Sequence, residues 1–187
     1  MLVAISGTSG TGKTAVAKIL VKNLNKKIKL HRQKYELIAL NALTERTNAY
    51  VGYDKARKSK IVSIKKLKAE VKKLKVKYKN LLIEGHFAHL FPADIVVILR
   101  CEPKMLERRL RRKYDWPTKI NENVEAEMMG VLTDEALPLH KPGTVFEIDT
   151  TKRTAVQTAK AIEKIINDED EERAKYIAGK IDWLKNL

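Results

Sequence analysis

The chain has 187 residues, 44% of them hydrophobic and 33% charged, which suits one globular domain with small inserts. No apolar run approaches the roughly 20 residues a membrane helix needs, and Met1–Ser6 reads as a strand rather than a secretory leader. A single cysteine, Cys101, excludes an internal disulfide, so a reducing, cytoplasmic setting is expected. The net charge is +15, from 38 Lys and Arg against 23 Asp and Glu. That balance favours polyanionic ligands through counterion release, and equally suits a soluble lysine-rich enzyme.

The first element is the apolar strand Leu2–Ser6 (LVAIS), followed by Gly7–Thr14 (GTSGTGKT) and a helix over Ala15–Asn23 with Val16, Ile19 and Leu20 on one face. The eight middle residues satisfy the phosphate-loop pattern G-x-x-x-x-G-K-[ST]. Gly7, Gly10 and Gly12 free the backbone, so that successive N–H groups turn inward around a phosphate at the positive end of the helix. Lys13 adds a cation for the β and γ phosphates, and the Thr14 hydroxyl suits Mg²⁺. Average residue usage produces this pattern by chance in about one chain in a hundred or fewer. The strand before it and the helix after it make nucleotide binding the expectation.

Lys34–Lys60 is polar and mixed in pattern, and reads as an insert. Ile61–Lys79 is a predicted helix with Ile64, Leu67, Val71, Leu74 and Tyr78 on one face. Its other face carries Lys65, Lys66, Lys68, Lys72, Lys73, Lys75 and Lys77, either a solvated surface or one that meets phosphates. The next strand, Leu81–Glu84 (LLIE), ends on an acid. Strand ends of this kind face the ligand crevice in doubly wound sheets, so Glu84 is placed to hold Mg²⁺ or its water. His86, two residues on, is a candidate for orienting a water or a phosphate, although a lone histidine beside a turn is more often structural.

Ile95–Leu99 (IVVIL) is a buried strand, Pro103–Arg112 a helix, and Lys113–Asn121 a short basic and aromatic insert. Overlapping the helix end and this insert, Arg108–Trp116 (RRLRRKYDW) holds five cations and two aromatics. Arginines stabilise the charge of a phosphoryl-transfer transition state. A helix turns about 100° per residue, so only one or two of Arg108, Arg109, Arg111 and Arg112 reach one site. Helices over Glu122–Ala136 and Thr154–Asn167 and a strand over Val145–Ile148 complete the pattern. Strands alternating with helices predict an α/β fold with a mainly parallel sheet.

These residues together resemble the adenylate kinase isoenzyme 6 family. The resemblance spans nearly the whole chain: GTSGTGKT, Tyr50–Asp54 (YVGYD), Leu81–Pro92 (LLIEGHFAHLFP), Ile95–Arg100 (IVVILR), Ile120–Ala136 (INENVEAEMMGVLTDEA) and Gly179–Leu184 (GKIDWL). It implies a phosphate-loop nucleotide kinase with a five-stranded parallel sheet, a nucleoside-monophosphate insert over 39–62 and a lid over 112–122. It further implies that Gly10, Gly12, Lys13, Thr14 and Ala15 hold ATP, with Arg112 or Lys113 as the lid cation and Arg112 also catalytic. Lys13, Glu84 and His86 are then catalytic, Thr14 and Glu84 hold Mg²⁺, and Arg46, Tyr50 and Tyr53 bind AMP. Glu84 stands where other members carry Asp, and Glu45 where they carry Arg.

The resemblance also implies ATPase activity and a role in small-subunit ribosome maturation, with a ribosomal protein and ribosomal RNA as partners. A basic partner needs an acidic or apolar surface, for which Asp168–Glu172 and the group Glu125, Glu127, Asp134 and Glu135 are the candidates. Three activities remain open on the sequence: AMP phosphorylation, an ATPase switch with incidental kinase activity, and a kinase for another small acceptor.

Overall fold

A computed structural model describes residues 1–27, 34–55, 57 and 59–186. In chain order the elements are β1 (Leu2–Gly7), α1 (Lys13–Lys27), β2 (Tyr35–Ala39), α2 (Leu40–Thr47), β3 (Tyr50–Asp54), β4 (Ser59–Val62), α3 (Ile64–Lys77), β5 (Asn80–Glu84), β6 (Ile95–Arg100), α4 (Pro103–Arg111), α5 (Pro117–Met128), α6 (Val131–Ala136), β7 (Val145–Asp149), α7 (Ala155–Ile166) and α8 (Asp170–Tyr176). Five strands form one parallel sheet in the order β2-β5-β1-β6-β7.

The unbroken apolar runs of β1 and β6 follow from burial on both faces. Val3, Ile5, Val97 and Leu99 pack with Val16 and Leu20 of α1 and Ile162 and Ile165 of α7. Leu2, Ala4, Val96 and Ile98 face the opposite layer, built by Leu40 and Leu43 of α2, Leu67 and Val71 of α3, and Leu132 and Ala136 of α6. The register sets Ile5 opposite both Glu84 and Val97. The chain fills β2 and β5 on one side of β1 and then crosses to β6 on the other. The carboxyl ends of β1, β5 and β6 therefore border the switch point, where ligands bind in such sheets.

Several boundaries differ from the sequence reading. Tyr35–Ala39 is the fifth strand, pairing with Asn80–Glu84, and not part of an insert. It lies at the sheet edge with mostly half-buried side chains, so it lacks the continuous apolar run that marks the inner strands. The insert proper is α2 and the antiparallel hairpin β3–β4; residues 56 and 58 of the expected insert lie outside the described residues. The lysine-rich helix starts at Ile64, because Ser63 caps it by accepting from the Lys66 amide and Ser59–Val62 is a strand. The helix expected over Glu122–Ala136 is two helices, broken at Gly130 with φ +69°. Pro117 opens α5, so only 112–116 of the expected lid is loop. Among the described residues no helix is long and apolar enough to cross a membrane.

Candidate active site

The phosphate loop joins β1 to α1 at the switch point. Gly7 has φ +146°, and a Cβ there would lie 2.5 Å from the Leu99 carbonyl oxygen. Only glycine lets the loop leave β1 so close to β6. The loop closes on the Thr8 carbonyl, which accepts from the Thr11 amide (3.3 Å), the Thr11 hydroxyl (2.8 Å) and Lys13 Nζ (2.9 Å). Lys13 thus lies folded over its own loop. Burial lowers its ammonium pKa to about 8; Glu84 opposes the shift and Lys113 reinforces it.

Across from the loop, Glu84 is buried at the end of β5, with both carboxylate oxygens 3.3 Å from Thr14 Oγ1. Between them opens a cleft of about 440 Å³. Gly10, Gly12, Lys13, Thr14 and Ala15 line one wall, and Glu84 and His86 the other. His86 is partly buried, and its pKa lies below the usual value because of burial and of Lys13, against a hydrogen bond to the Gly7 backbone.

The α4–α5 loop covers this cleft through Lys113 and Tyr114. Tyr114 Oη lies 3.1 Å and Lys113 Nζ 3.5 Å from Ser9 Oγ. Burial raises the Tyr114 pKa, but hydrogen bonds to Ser9 and Lys113 and the charges of Lys113 and Lys119 outweigh it and hold the phenol below its usual value. Arg112 is exposed at the end of α4 and is not among the residues lining this cleft. Arg109 is the arginine that reaches the loop. Its guanidinium donates to the carbonyls of Thr150 (3.0 Å), Thr151 (3.1 Å) and Gly10 (3.4 Å), beside a hollow of about 230 Å³ behind Gly10–Gly12.

The residues expected for AMP do not gather at the cleft. Arg46 and Tyr53 are exposed, and the Tyr50 hydroxyl donates to Glu45. The insert instead supplies Asn41 to the cleft wall. Its hairpin meets α5 at a separate hollow of about 350 Å³, lined by Arg57, Ser59, Trp116, Lys119, Glu122 and Asn123, with Arg57 Nε 3.2 Å from Glu122. Asn123 lines both spaces.

An AAA domain family model matches residues 3–130. Over the full length of both chains, this chain is 33% identical to a Methanosarcina acetivorans protein named "Putative adenylate kinase". A Pyrococcus furiosus protein of the same name is 36% identical, with 99% of this chain and 92% of that one aligned. The chain belongs to the adenylate kinase family. Among solved structures, a shikimate kinase from Acinetobacter baumannii superposes with a TM-score of 0.60 at 17% identity, covering 90% of this chain and 94% of that one. That likeness carries the phosphate-loop kinase fold.

Behind the cleft this adenylate kinase family member holds a buried charged cluster. Arg100 at the end of β6 pairs with Glu127 of α5 (2.7 Å) and with Glu147 of β7, all three nearly inaccessible. Glu127 also accepts from Thr8 Oγ1 (2.6 Å), the Cys101 amide (3.1 Å) and Trp183 Nε1 (3.2 Å). Glu127, expected as a surface acid for docking, is therefore a buried anchor joining the phosphate loop to the carboxyl-terminal segment. In the other acidic stretch, Asp168 pairs with Arg173, and Glu169 and Glu172 with Lys164.

Proposed function

We propose that this chain transfers the γ-phosphoryl group of ATP to AMP, giving two ADP. The observation that supports it best is the facing of Lys13 and Thr14 against buried Glu84 in a cleft bordered by the insert and the α4–α5 loop. An AMP phosphate oxygen forms the new bond to Pγ as the bond from Pγ to the β–γ bridging oxygen breaks, so charge and atoms balance without a net proton. Positioning and electrostatics then carry the catalysis. Lys13, freed from the Thr8 carbonyl by the phosphates, follows the charge on the β and γ oxygens, and Lys113 and Arg112 are the lid cations available from the far side.

Thr14 hydroxyl and Glu84 carboxylate are a hard oxygen pair with room beside them, which fits Mg²⁺, an ion that keeps several waters. When bound, Mg²⁺ neutralises phosphate charge, with Thr14 and Glu84 holding it or its waters. The ATP nucleoside fits the hollow beside Arg109. For the acceptor, His86 and Asn41 border the phosphate end, and Trp116 offers an aromatic face to the base. Arg46, Tyr50 and Tyr53 are then the outer wall of the insert. In an assay of ATP with AMP, CMP, UMP or GMP, AMP is expected to be phosphorylated fastest, and Trp116→Ala to raise the AMP KM about tenfold with little change for ATP. Faster use of CMP or UMP would overturn the acceptor assignment.

A second reading is an ATPase switch in small-subunit ribosome maturation, in which His86 orients the attacking water. One observation favours it: all seven lysines of the α3 face are exposed. Exposed Met129, Val131, Leu137 and Leu139 beside Glu125 and Asp134 would suit a basic protein partner. Replacing Lys68, Lys72 and Lys75 by Glu is expected to weaken binding of small-subunit ribosomal RNA, and wild-type binding to fall steeply with salt. RNA binding unchanged by this reversal would leave the metabolic kinase as the better reading.

A further inference from the structure

One polar assembly lies just behind His86 and outside the cleft. Ser6, the residue before Gly7, is wholly buried, and its hydroxyl donates to the His86 carbonyl at 2.9 Å. His89 Nδ1 lies 2.8 Å from the same hydroxyl, and His89 Nε2 lies 2.8 Å from Glu135 of α6. His140 Nε2 holds the His89 carbonyl at 2.7 Å. His89 is 1% exposed, whereas Glu135 remains about half exposed.

The arrangement has the order of a nucleophilic triad, acid to histidine to serine, but its chemistry is different. Ser6 is sealed in the core with its hydroxyl between the His86 carbonyl and the His89 ring, so no substrate reaches it. What it does reach is the turn that carries His86. The amide of Gly85 is bonded to the Ile5 carbonyl at 3.2 Å, and the His86 ring is hydrogen-bonded to the Gly7 backbone. With its carbonyl fixed by Ser6 and one ring nitrogen occupied by Gly7, His86 has a single ring nitrogen left for the cleft. Apolar side chains would fill the same space without the desolvation cost that the buried Ser6 and His89 carry.

We propose that Ser6, His89 and Glu135 are positioning residues that set the His86 ring against the phosphate loop. The assignment rests on the cleft being the phosphoryl-transfer site. Outer residues that orient a working side chain typically matter by 10- to 100-fold. Because Glu135 is at the accessible end of the assembly, Glu135→Ala leaves the core packed and is the cleaner variant. Glu135→Gln keeps an acceptor for His89.

The test measures ATP turnover and ATP affinity for Glu135→Ala, Glu135→Gln and Ser6→Ala, each alone and combined with His86→Ala. Glu135→Ala and Ser6→Ala are expected to lower kcat about tenfold with ATP Kd within twofold of wild type. Glu135→Gln should restore most of the rate, and neither loss should persist in the His86→Ala background. Equal losses with and without His86, or a matching loss of ATP affinity, would overturn the proposal. Nuclear magnetic resonance of the nucleotide-free chain reads the same geometry without any turnover. The His86 ring signals are expected to shift in Glu135→Ala and to stay near wild type in Glu135→Gln; unmoved signals in Glu135→Ala would overturn it. Absent ATP turnover in the wild type, with the His86 signals still shifting, would instead count against the kinase reading.

Discussion

Replacing Lys13 with methionine is expected to lower ATP turnover on the order of 10³-fold while leaving the chain folded and more stable to heat. The loss follows from removing the cation that tracks charge on the transferred phosphate. The gain follows from the state of Lys13 in the free protein, where burial holds its pKa at about 8, below the ordinary lysine value of 10.5. A lysine whose folded pKa lies below its unfolded one opposes folding fully at pH values under about 8. That opposition fades as pH climbs from about 8 toward 10.5. The thermal advantage of the methionine variant should therefore be constant at neutral pH and shrink in alkaline buffer. ATP should also draw a proton onto Lys13 when it binds near pH 8, visible by calorimetry in buffers of different ionisation enthalpy. Wild-type turnover in the variant, or no proton uptake, would remove Lys13 from the phosphate site.

The parts of this architecture that are local in the chain were legible in the sequence. Eight adjacent residues, Gly7–Thr14, specify the loop because one turn must present glycine freedom, a cation and a hydroxyl together. Glu84 was legible because it ends an apolar run, and inner strands end at the crevice. Tyr35–Ala39 was not, since an edge strand needs no continuous apolar pattern. Gly130 sits inside one continuous helical pattern in the sequence, because a single glycine is tolerated there and only its φ of +69° declares the break.

The placements that the sequence does not reveal are those chosen by packing. Four arginines crowd α4 and its end, yet the carbonyls of Thr150 and Thr151, some 40 residues away, select Arg109. Tyr114 stood in a visibly aromatic insert, but its partner Ser9 is in the phosphate loop, 105 residues earlier. Glu127 is the sharpest case. On a helix of mixed polarity an acid reads as solvent-facing, and nothing nearby in the chain signals that Arg100 of β6 waits beneath it.

That cluster yields the largest expected effect on stability. Arg100→Met is expected to cost about 3–5 kcal/mol in urea unfolding, because it strands two buried carboxylates, Glu127 and Glu147, without their shared cation. Removing the three charges together, as Arg100→Met with Glu127→Gln and Glu147→Gln, should cost less than the single change, since neutral amides carry a smaller desolvation penalty. The single variant should also loosen distant parts of the chain at once. Glu127 holds Thr8 in the phosphate loop and Trp183 in the carboxyl-terminal segment, while Glu147 accepts from the Gly179 amide at 2.8 Å. Hydrogen exchange in Arg100→Met should therefore rise around Thr8 and around Gly179–Trp183 before it rises in β1 and β6, which are buried on both faces. A cost below about 1 kcal/mol, or a triple variant less stable than the single one, would mean that the cluster is not a stabilising ion network.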